Sequence, residues 1–196
     1  PRRSRAQALF DEGRDLVFAK RFDEACPKLA ESQRLDPAGG TLLNLASCLE
    51  SQGLLASAYA TYADAASAAL RDGRKDREAI AREKLAAIQP RMARLELRVP
   101  NPAPGLEIKL DGIKLGAASW GTALPIDPGS HEVELSAPGR RRERSPPRRL
   151  PEDIPADEAK TVRVTVGRDP MMRTSRSQPT RPGGRRLAGP PTRGPP

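Results

Sequence analysis

Side chains that could carry covalent or acid–base chemistry are few in this chain of 196 residues. His131 is its single His, and Cys26 and Cys48 are its two Cys. A tetrahedral zinc site needs four ligands, which two Cys and a distant His cannot complete. His131 follows a Pro-Gly turn with no nucleophile near it, which favours a surface strand residue over a catalytic base. We therefore expect no catalytic residue, no metal and no cofactor.

The sequence also lacks the motifs of phosphate and acyl chemistry. Gly39-Gly40 is interpreted as a turn between helices, not as a phosphate-binding loop, and no Ser stands in a nucleophile-elbow context. Trp120 is predicted to anchor the core of a sheet. An aromatic content of 3% argues against a stacking platform for nucleic acid or sugar. These observations predict a non-enzymatic protein with no small-molecule substrate.

The positive charge is concentrated in two segments. The chain has a net charge of +9, to which residues 140–149 contribute +5 and residues 168–196 contribute +6, so that the remainder is 9 − 11 = −2. Arg-rich segments can bind nucleic acid or anionic lipid by counterion release. The alternatives are a solvated linker and a GC-rich gene read out of frame. We favour the solvated linker and the out-of-frame gene over nucleic-acid binding. Nucleic acid is therefore the less favoured partner.

The elements that would position a binding site are helical in the first half of the chain. Residues 6–37 and 39–73 can be superposed, with Ala25 and Ala58 at equivalent places 33 positions apart. A recurrence near 34 residues indicates helix–turn–helix repeats. Apolar spacing predicts helices at about 6–18, 23–35, 41–52, 55–71 and 74–88. Asp23 and Thr41 are their candidate N-caps.

After Pro90 the pattern changes to strict alternation of apolar and polar residues. Alternation predicts strands at 95–99, 106–110, 131–135 and 161–166. Asp111-Gly112 predicts a hairpin turn, and residues 127–130 predict a second turn. The fold class is therefore α+β in two modules. We divide the chain into a helical repeat domain (1–92), a small antiparallel β-sandwich-like domain (93–167) and a disordered Pro/Arg/Gly-rich tail (168–196).

Both modules resemble known families. The helical part resembles tetratricopeptide (TPR) repeats on the matching pairs Leu16 and Leu49, Ala25 and Ala58. It departs from the family at Leu9 and Leu42, where an aromatic residue is common. The β part resembles a PEGA-type module, on the text from Leu106 to Gly112 and from Leu124 to Val133. This order of modules is similar to myxobacterial envelope-associated proteins. The resemblance implies a periplasmic or envelope-associated scaffold, close to membrane or cell wall.

The repeat resemblance also implies a binding site. In such proteins the first helix of each unit lines a concave groove that holds an extended peptide, and here those helices offer Arg14, Asn44, Ser47 and Arg77. Amide and guanidinium groups can hold a peptide backbone or a terminal carboxylate. The alternative is that Asn44 is a solvated or capping side chain. The implied partner is a protein or peptide.

The same packing would place Cys26 and Cys48 at the seam between units. Two interpretations stay open: the residues form a disulfide there, or they remain two small buried thiols. Two other functions also stay open. The chain could be an interaction fragment of a larger bacterial Ser/Thr kinase, or a weak nucleic-acid binder acting through residues 168–196.

Overall fold

The structure, a computed structural model, describes residues 1–137, 143–144, 148–150 and 161–165. Five α-helices come first, as predicted, and small sheets follow them. The helices are α1 (Arg2–Phe18), α2 (Phe22–Leu35), α3 (Gly39–Ser51), α4 (Leu55–Arg71) and α5 (Lys75–Ile88). A 3₁₀ turn, Gln89–Arg91, leads from α5 into the first strand. None of the helices within the described residues has the length and apolarity that crossing a bilayer requires.

The helices form two consecutive antiparallel pairs, α1 with α2 and α3 with α4, and α5 packs on α4. Small residues permit the close crossings, since Ala25 and Ala58 are both completely buried. A Cβ added to Gly13 would lie 2.9 Å from Cγ of Leu29, which is also completely buried. The packing thus depends on the absence of side-chain volume at Gly13.

Both predicted N-caps are wrong. Helix α3 begins at Gly39, after an extended Ala38, so Thr41 lies inside its first turn and is buried. Helix α2 begins at Phe22, which places Asp23 in its first turn. There the carboxylate complements the positive end of the helix dipole and accepts a hydrogen bond from Nε2 of Gln52 at 2.9 Å.

The described strands form three small sheets. Their order is β4-β1-β9 in the first, β3-β2-β6-β7 in the second and β5-β8 in the third. The strands are β1 (Ala93–Arg98), β2 (Glu107–Leu110), β3 (Ile113–Leu115), β4 (Ala123–Ile126), β5 (Gly129–His131), β6 (Val133–Ser136), β7 (Glu143–Arg144), β8 (Arg148–Leu150) and β9 (Thr161–Thr165). Five of the six described pairings are antiparallel, and β9 pairs with β1 in parallel. The predicted tail, 168–196, lies outside the described residues.

Turn chemistry explains where the strands begin and end. Asp111 and Gly112 both have positive φ (50° and 78°), which is the geometry of the predicted two-residue hairpin between β2 and β3. The predicted strand 131–135 is divided at Glu132. The backbone N–H of Glu132 donates to Oδ1 of Asp111 at 2.9 Å instead of pairing with a neighbouring strand. Strands β5 and β6 are therefore separate.

The two modules meet without a flexible linker. Met92 is buried in the core of the helical module with Ile88 and Tyr62, and the next residue, Ala93, is buried in the core of the β module. A second contact lies at the start of α4, where Asp127 of the β module reaches the helix N-terminus. Oδ1 of Asp127 accepts from the backbone N–H of Ala56 at 2.8 Å.

Candidate functional site

Three of the four residues predicted to line a groove, Asn44, Ser47 and Arg77, lie on the neighbouring helices α3 and α5. Positions four and three residues apart share a helix face, so Gly40, Asn44 and Ser47 form one line on α3. Arg77 and Lys84, seven positions apart, form a matching line on α5. We call this surface, completed by Glu50 of α3 and Arg91 of the 3₁₀ turn, the α3–α5 strip.

One end of the α3–α5 strip is formed at Gly40. Nδ2 of Asn44 donates to the backbone carbonyl of Gly40 at 2.8 Å. A Cβ at Gly40 would lie 3.4 Å from Nη1 of Arg77, so the guanidinium rests against this bare stretch of backbone. Arg77 is half-buried, and among the described residues no carboxylate lies within ion-pair distance of it. Arg77 therefore forms no described ion pair at this end of the strip, and the carboxylate of Asp72 lies near the neighbouring Gly39.

The other end of the strip is organised around Glu50, whose side chain is only 19% exposed. Its Oε2 accepts from Nζ of Lys84 at 3.1 Å and from the hydroxyl of Tyr62 at 3.0 Å. Nη1 of Arg91 lies 4.0 Å from Oε1. One carboxylate thus holds groups from three different elements in fixed positions.

Tyr62 reports how enclosed this end of the strip is. Burial of the phenol, its hydrogen bond to Glu50 and the Glu50 charge together raise the pKa of Tyr62 far above its ordinary value, while a hydrogen bond from the Ser47 hydroxyl opposes the rise. Ser47 itself is exposed. Its hydroxyl therefore lies where the fixed polar network meets solvent.

The four predicted groove residues do not all come together. The structure joins Asn44 and Arg77 at Gly40 and places Ser47 one turn further along α3. Arg14 is exposed on α1, with its guanidinium carbon 5.6 Å from the centroid of the Phe10 ring. That distance is within the range of a cation–π contact, so Arg14 is engaged on its own helix and shares no described contact with the other three.

The charge of the α3–α5 strip is positive overall. Arg77, Lys84 and Arg91 contribute three cations against the single carboxylate of Glu50. Charges that are half-buried are screened by salt less than fully solvated ones. The strip is therefore suited to a partner segment that carries negative charge.

Cys26 and Cys48 form a disulfide, with their sulfur atoms 2.06 Å apart. The bond joins α2 to α3 and so connects the two helical pairs. Both residues are buried, and Leu29 and Ala25 belong to the same apolar cluster. Of the two open readings, the structure shows the disulfide at the seam.

Asp111, Asp127 and His131 form a second polar group, which the sequence did not reveal. Nδ1 of His131 lies 2.7 Å from Oδ2 of Asp111, and Nε2 lies 2.8 Å from the backbone carbonyl of Asp127. From the sequence, both Asp residues are predicted only to form turns. The available signal was limited to Asp127, an acidic turn residue that closely precedes the only His of the chain.

Two further predictions concern chemistry outside the strip. Trp120 packs against the core of the β module, as predicted, and its indole N–H has no hydrogen-bond partner among the residues that the structure describes. A cleft of about 510 Å³ lies beside Trp120, lined by Val99, Pro100 and Gly121 among others.

Within the described part of the chain, His, Cys, Asp and Glu form no group of three that could hold a metal ion.

Comparison of the chain with protein-family models, with curated proteins and with solved structures gave no match. The likeness to TPR repeats and to PEGA modules therefore stays a prediction from the residues that carry it.

Proposed function

We propose that this protein is a non-enzymatic scaffold that binds an extended segment of a partner protein along the α3–α5 strip. The observation that supports this most is the half-buried guanidinium of Arg77, which lacks a carboxylate partner in the described residues and lies beside Asn44. A partly desolvated cation gains free energy when a partner supplies the missing anion.

The neighbouring amide provides the complementary chemistry for a peptide backbone. Because Nδ2 of Asn44 already donates to Gly40, its Oδ1 is the atom that can accept a backbone N–H from a ligand. The Ser47 hydroxyl lies on the same line. At 1.5 Å per residue, Gly40 to Glu50 spans roughly 15 Å. An extended strand covers that length with about five residues.

The strip is held in shape before any ligand arrives. Glu50 links α3 to α4 and α5 through Tyr62 and Lys84, and the Cys26–Cys48 disulfide fixes α3 to α2. Ordering a loop or a side chain on binding costs free energy, and a preformed surface avoids that cost. This rigidity favours a docking surface over a moving part.

A peptide-display selection on the intact, oxidised chain tests the proposal. We expect enrichment of segments of about five residues that contain acidic groups, with binding lost in the Asn44→Ala and Arg77→Ala variants. Arg71→Ala, on α4, removes an exposed Arg outside the strip and should leave binding unchanged. Selected peptides that bind all four proteins equally would refute the site, and a selection that enriches nothing would refute the function.

We also propose that the protein works in an oxidising compartment such as the periplasm or cell envelope. The support is the Cys26–Cys48 disulfide, since such bonds persist in oxidising compartments and are rare in the cytosol. Thiol trapping in intact cells tests this. The proposal predicts that alkylating reagents leave both Cys unlabelled until a reductant is added, and labelling without reductant would contradict it.

A further inference from the structure

The imidazole of His131 is held between two hydrogen-bond acceptors. Oδ2 of Asp111 lies 2.7 Å from Nδ1, and the backbone carbonyl of Asp127 lies 2.8 Å from Nε2. A backbone carbonyl has no proton to donate, and an ionised carboxylate has none either. Both ring nitrogens must therefore carry a proton for both contacts to form.

The two protonation states of the ring thus differ in the contacts they can make. The imidazolium donates to Asp111 and to Asp127 at once. The neutral ring has one N–H, so one of its nitrogens presents a lone pair to an acceptor. Because the His131 side chain is only 17% exposed, solvent compensates the lost hydrogen bond incompletely.

The charged groups around His131 come from several elements. Asp111 lies in the β2–β3 turn, and Asp127 precedes β5. Glu132 is the next residue in the chain, and the backbone of β8 pairs with that of β5 at His131. Partial burial by itself raises the pKa of Asp111, but hydrogen bonds from His131 and from the Glu132 N–H, with the His131 charge, hold it below its ordinary value.

The turn that His131 holds is the turn that caps α4. The backbone carbonyl of Asp127 contacts Nε2 of His131. The carboxylate of Asp127 accepts from the N–H groups of Ala56 and Ser57 at 2.8 and 3.1 Å. Asp127 therefore connects the ring, in the β module, with a helix terminus in the helical module.

We propose that His131 is a pH-sensitive latch between the two modules. The protonated ring holds the Asp127 turn where its carboxylate caps α4. When the ring gives its proton to solvent, one of the two contacts is lost and the cap loosens. This inference is independent of peptide binding at the α3–α5 strip.

The direction of the pH effect follows from the contacts. Raising the pH favours the neutral ring, which can donate to only one of the two acceptors. Asp111 has a lowered pKa, so its contribution is present above its ordinary pKa and is lost only as pH falls through the lower folded value. The latch is therefore complete in mildly acidic solution and opens toward alkaline pH.

Amide hydrogen exchange on the intact chain tests the latch, with rates corrected for intrinsic pH dependence. From pH 5.5 to 8 we expect the protection factors of Ala56 and Ser57 to fall roughly tenfold, as suits the loss of one charge-assisted hydrogen bond. Amides in the middle of α2 should keep theirs. The NMR signals of the His131 ring should change together with the protection of Ala56 and Ser57.

Two variants separate the latch from a general pH effect. His131→Gln removes the titrating group, so protection at Ala56 and Ser57 should no longer depend on pH. Ser130→Ala, an exposed neighbour in β5, should behave as the unmodified chain does. Protection that is constant with pH in the unmodified chain, or that falls equally in His131→Gln, would overturn the proposal.

Discussion

The carboxylate of Asp127 accepts hydrogen bonds from both the backbone N–H and the hydroxyl of Ser57, 70 residues earlier in the chain. Ser57 lies in the first turn of α4, where backbone N–H groups have no partner within the helix. The helix has no capping side chain of its own. The β module therefore supplies the cap that the helical module lacks, and the stabilities of the two modules should be coupled.

Replacing Asp127 by Ala should lower the free energy of unfolding by about 1–2 kcal/mol, the usual loss for removal of an N-cap. Urea titration monitored by circular dichroism measures the change. Asp64→Ala, an exposed carboxylate on the same helix, is the matched control and should change stability by less than about 0.5 kcal/mol. Equal effects of the two substitutions would show that the cap stabilises nothing.

Breaking the Cys26–Cys48 disulfide should cost roughly 3 kcal/mol, because the bond closes a loop with a sequence separation of 22 residues. We expect a reductant to shift the urea midpoint of the unmodified chain downward. The Cys26→Ala/Cys48→Ala double variant should start at the lower midpoint and ignore the reductant. A midpoint that is the same with and without reductant in the unmodified chain would contradict this.

Alanine at Gly13 should destabilise the protein by about 1–3 kcal/mol, although Ala favours helix over Gly. The new Cβ would lie 2.9 Å from Cγ of the buried Leu29. Gly40→Ala is the matched comparison, since its Cβ would meet the flexible end of Arg77 at 3.4 Å. There we expect stability to be kept or raised by up to about 1 kcal/mol. Thermal unfolding of both variants measures whether Gly13→Ala lowers stability while Gly40→Ala keeps or raises it.

Removing the Tyr62 hydroxyl should cost about 1 kcal/mol at neutral pH, since Glu50 loses one donor. The raised pKa of Tyr62 means that its contribution is complete below the ordinary tyrosine pKa of about 10 and declines as pH rises toward the folded value. The advantage of the unmodified chain over Tyr62→Phe should therefore shrink from pH 9 to pH 11. Denaturant unfolding at the two pH values measures the difference in unfolding free energy between the two proteins. A difference that grows from pH 9 to pH 11 would contradict the prediction.

The sequence was most informative where periodicity decides the structure. Helix α4 has the predicted bounds, Leu55–Arg71, because its Ala-rich face repeats strictly and Gly53 stops the preceding helix. The two cap predictions failed for a local reason. Helix α2 begins one residue before Asp23 and helix α3 begins two residues before Thr41, so neither polar side chain stands at the cap position.

The long-range contacts were beyond sequence reasoning. The sequence around Asp127 predicts a turn, and no neighbouring residue indicates that the Asp127 carboxylate reaches α4. Glu50 similarly reads as one of many surface charges, and only the packing of α3, α4 and α5 brings Tyr62 and Lys84 to it. The repeat resemblance assigns Asn44 and Arg77 to the groove through the helices that carry them, whereas the engagement of Arg14 with Phe10 depends on side-chain conformation.

The central claim, that a partner segment binds along the α3–α5 strip, is tested most directly by NMR chemical-shift mapping. An acidic peptide from the display selection would be titrated into the labelled, disulfide-intact chain. We predict that the amide signals of Gly40, Asn44, Ser47 and Arg77 move together and saturate, while those of Arg71 and Asp64 on α4 stay in place. Saturating shifts confined to residues outside the strip, with Asn44 and Arg77 unmoved, would contradict the account.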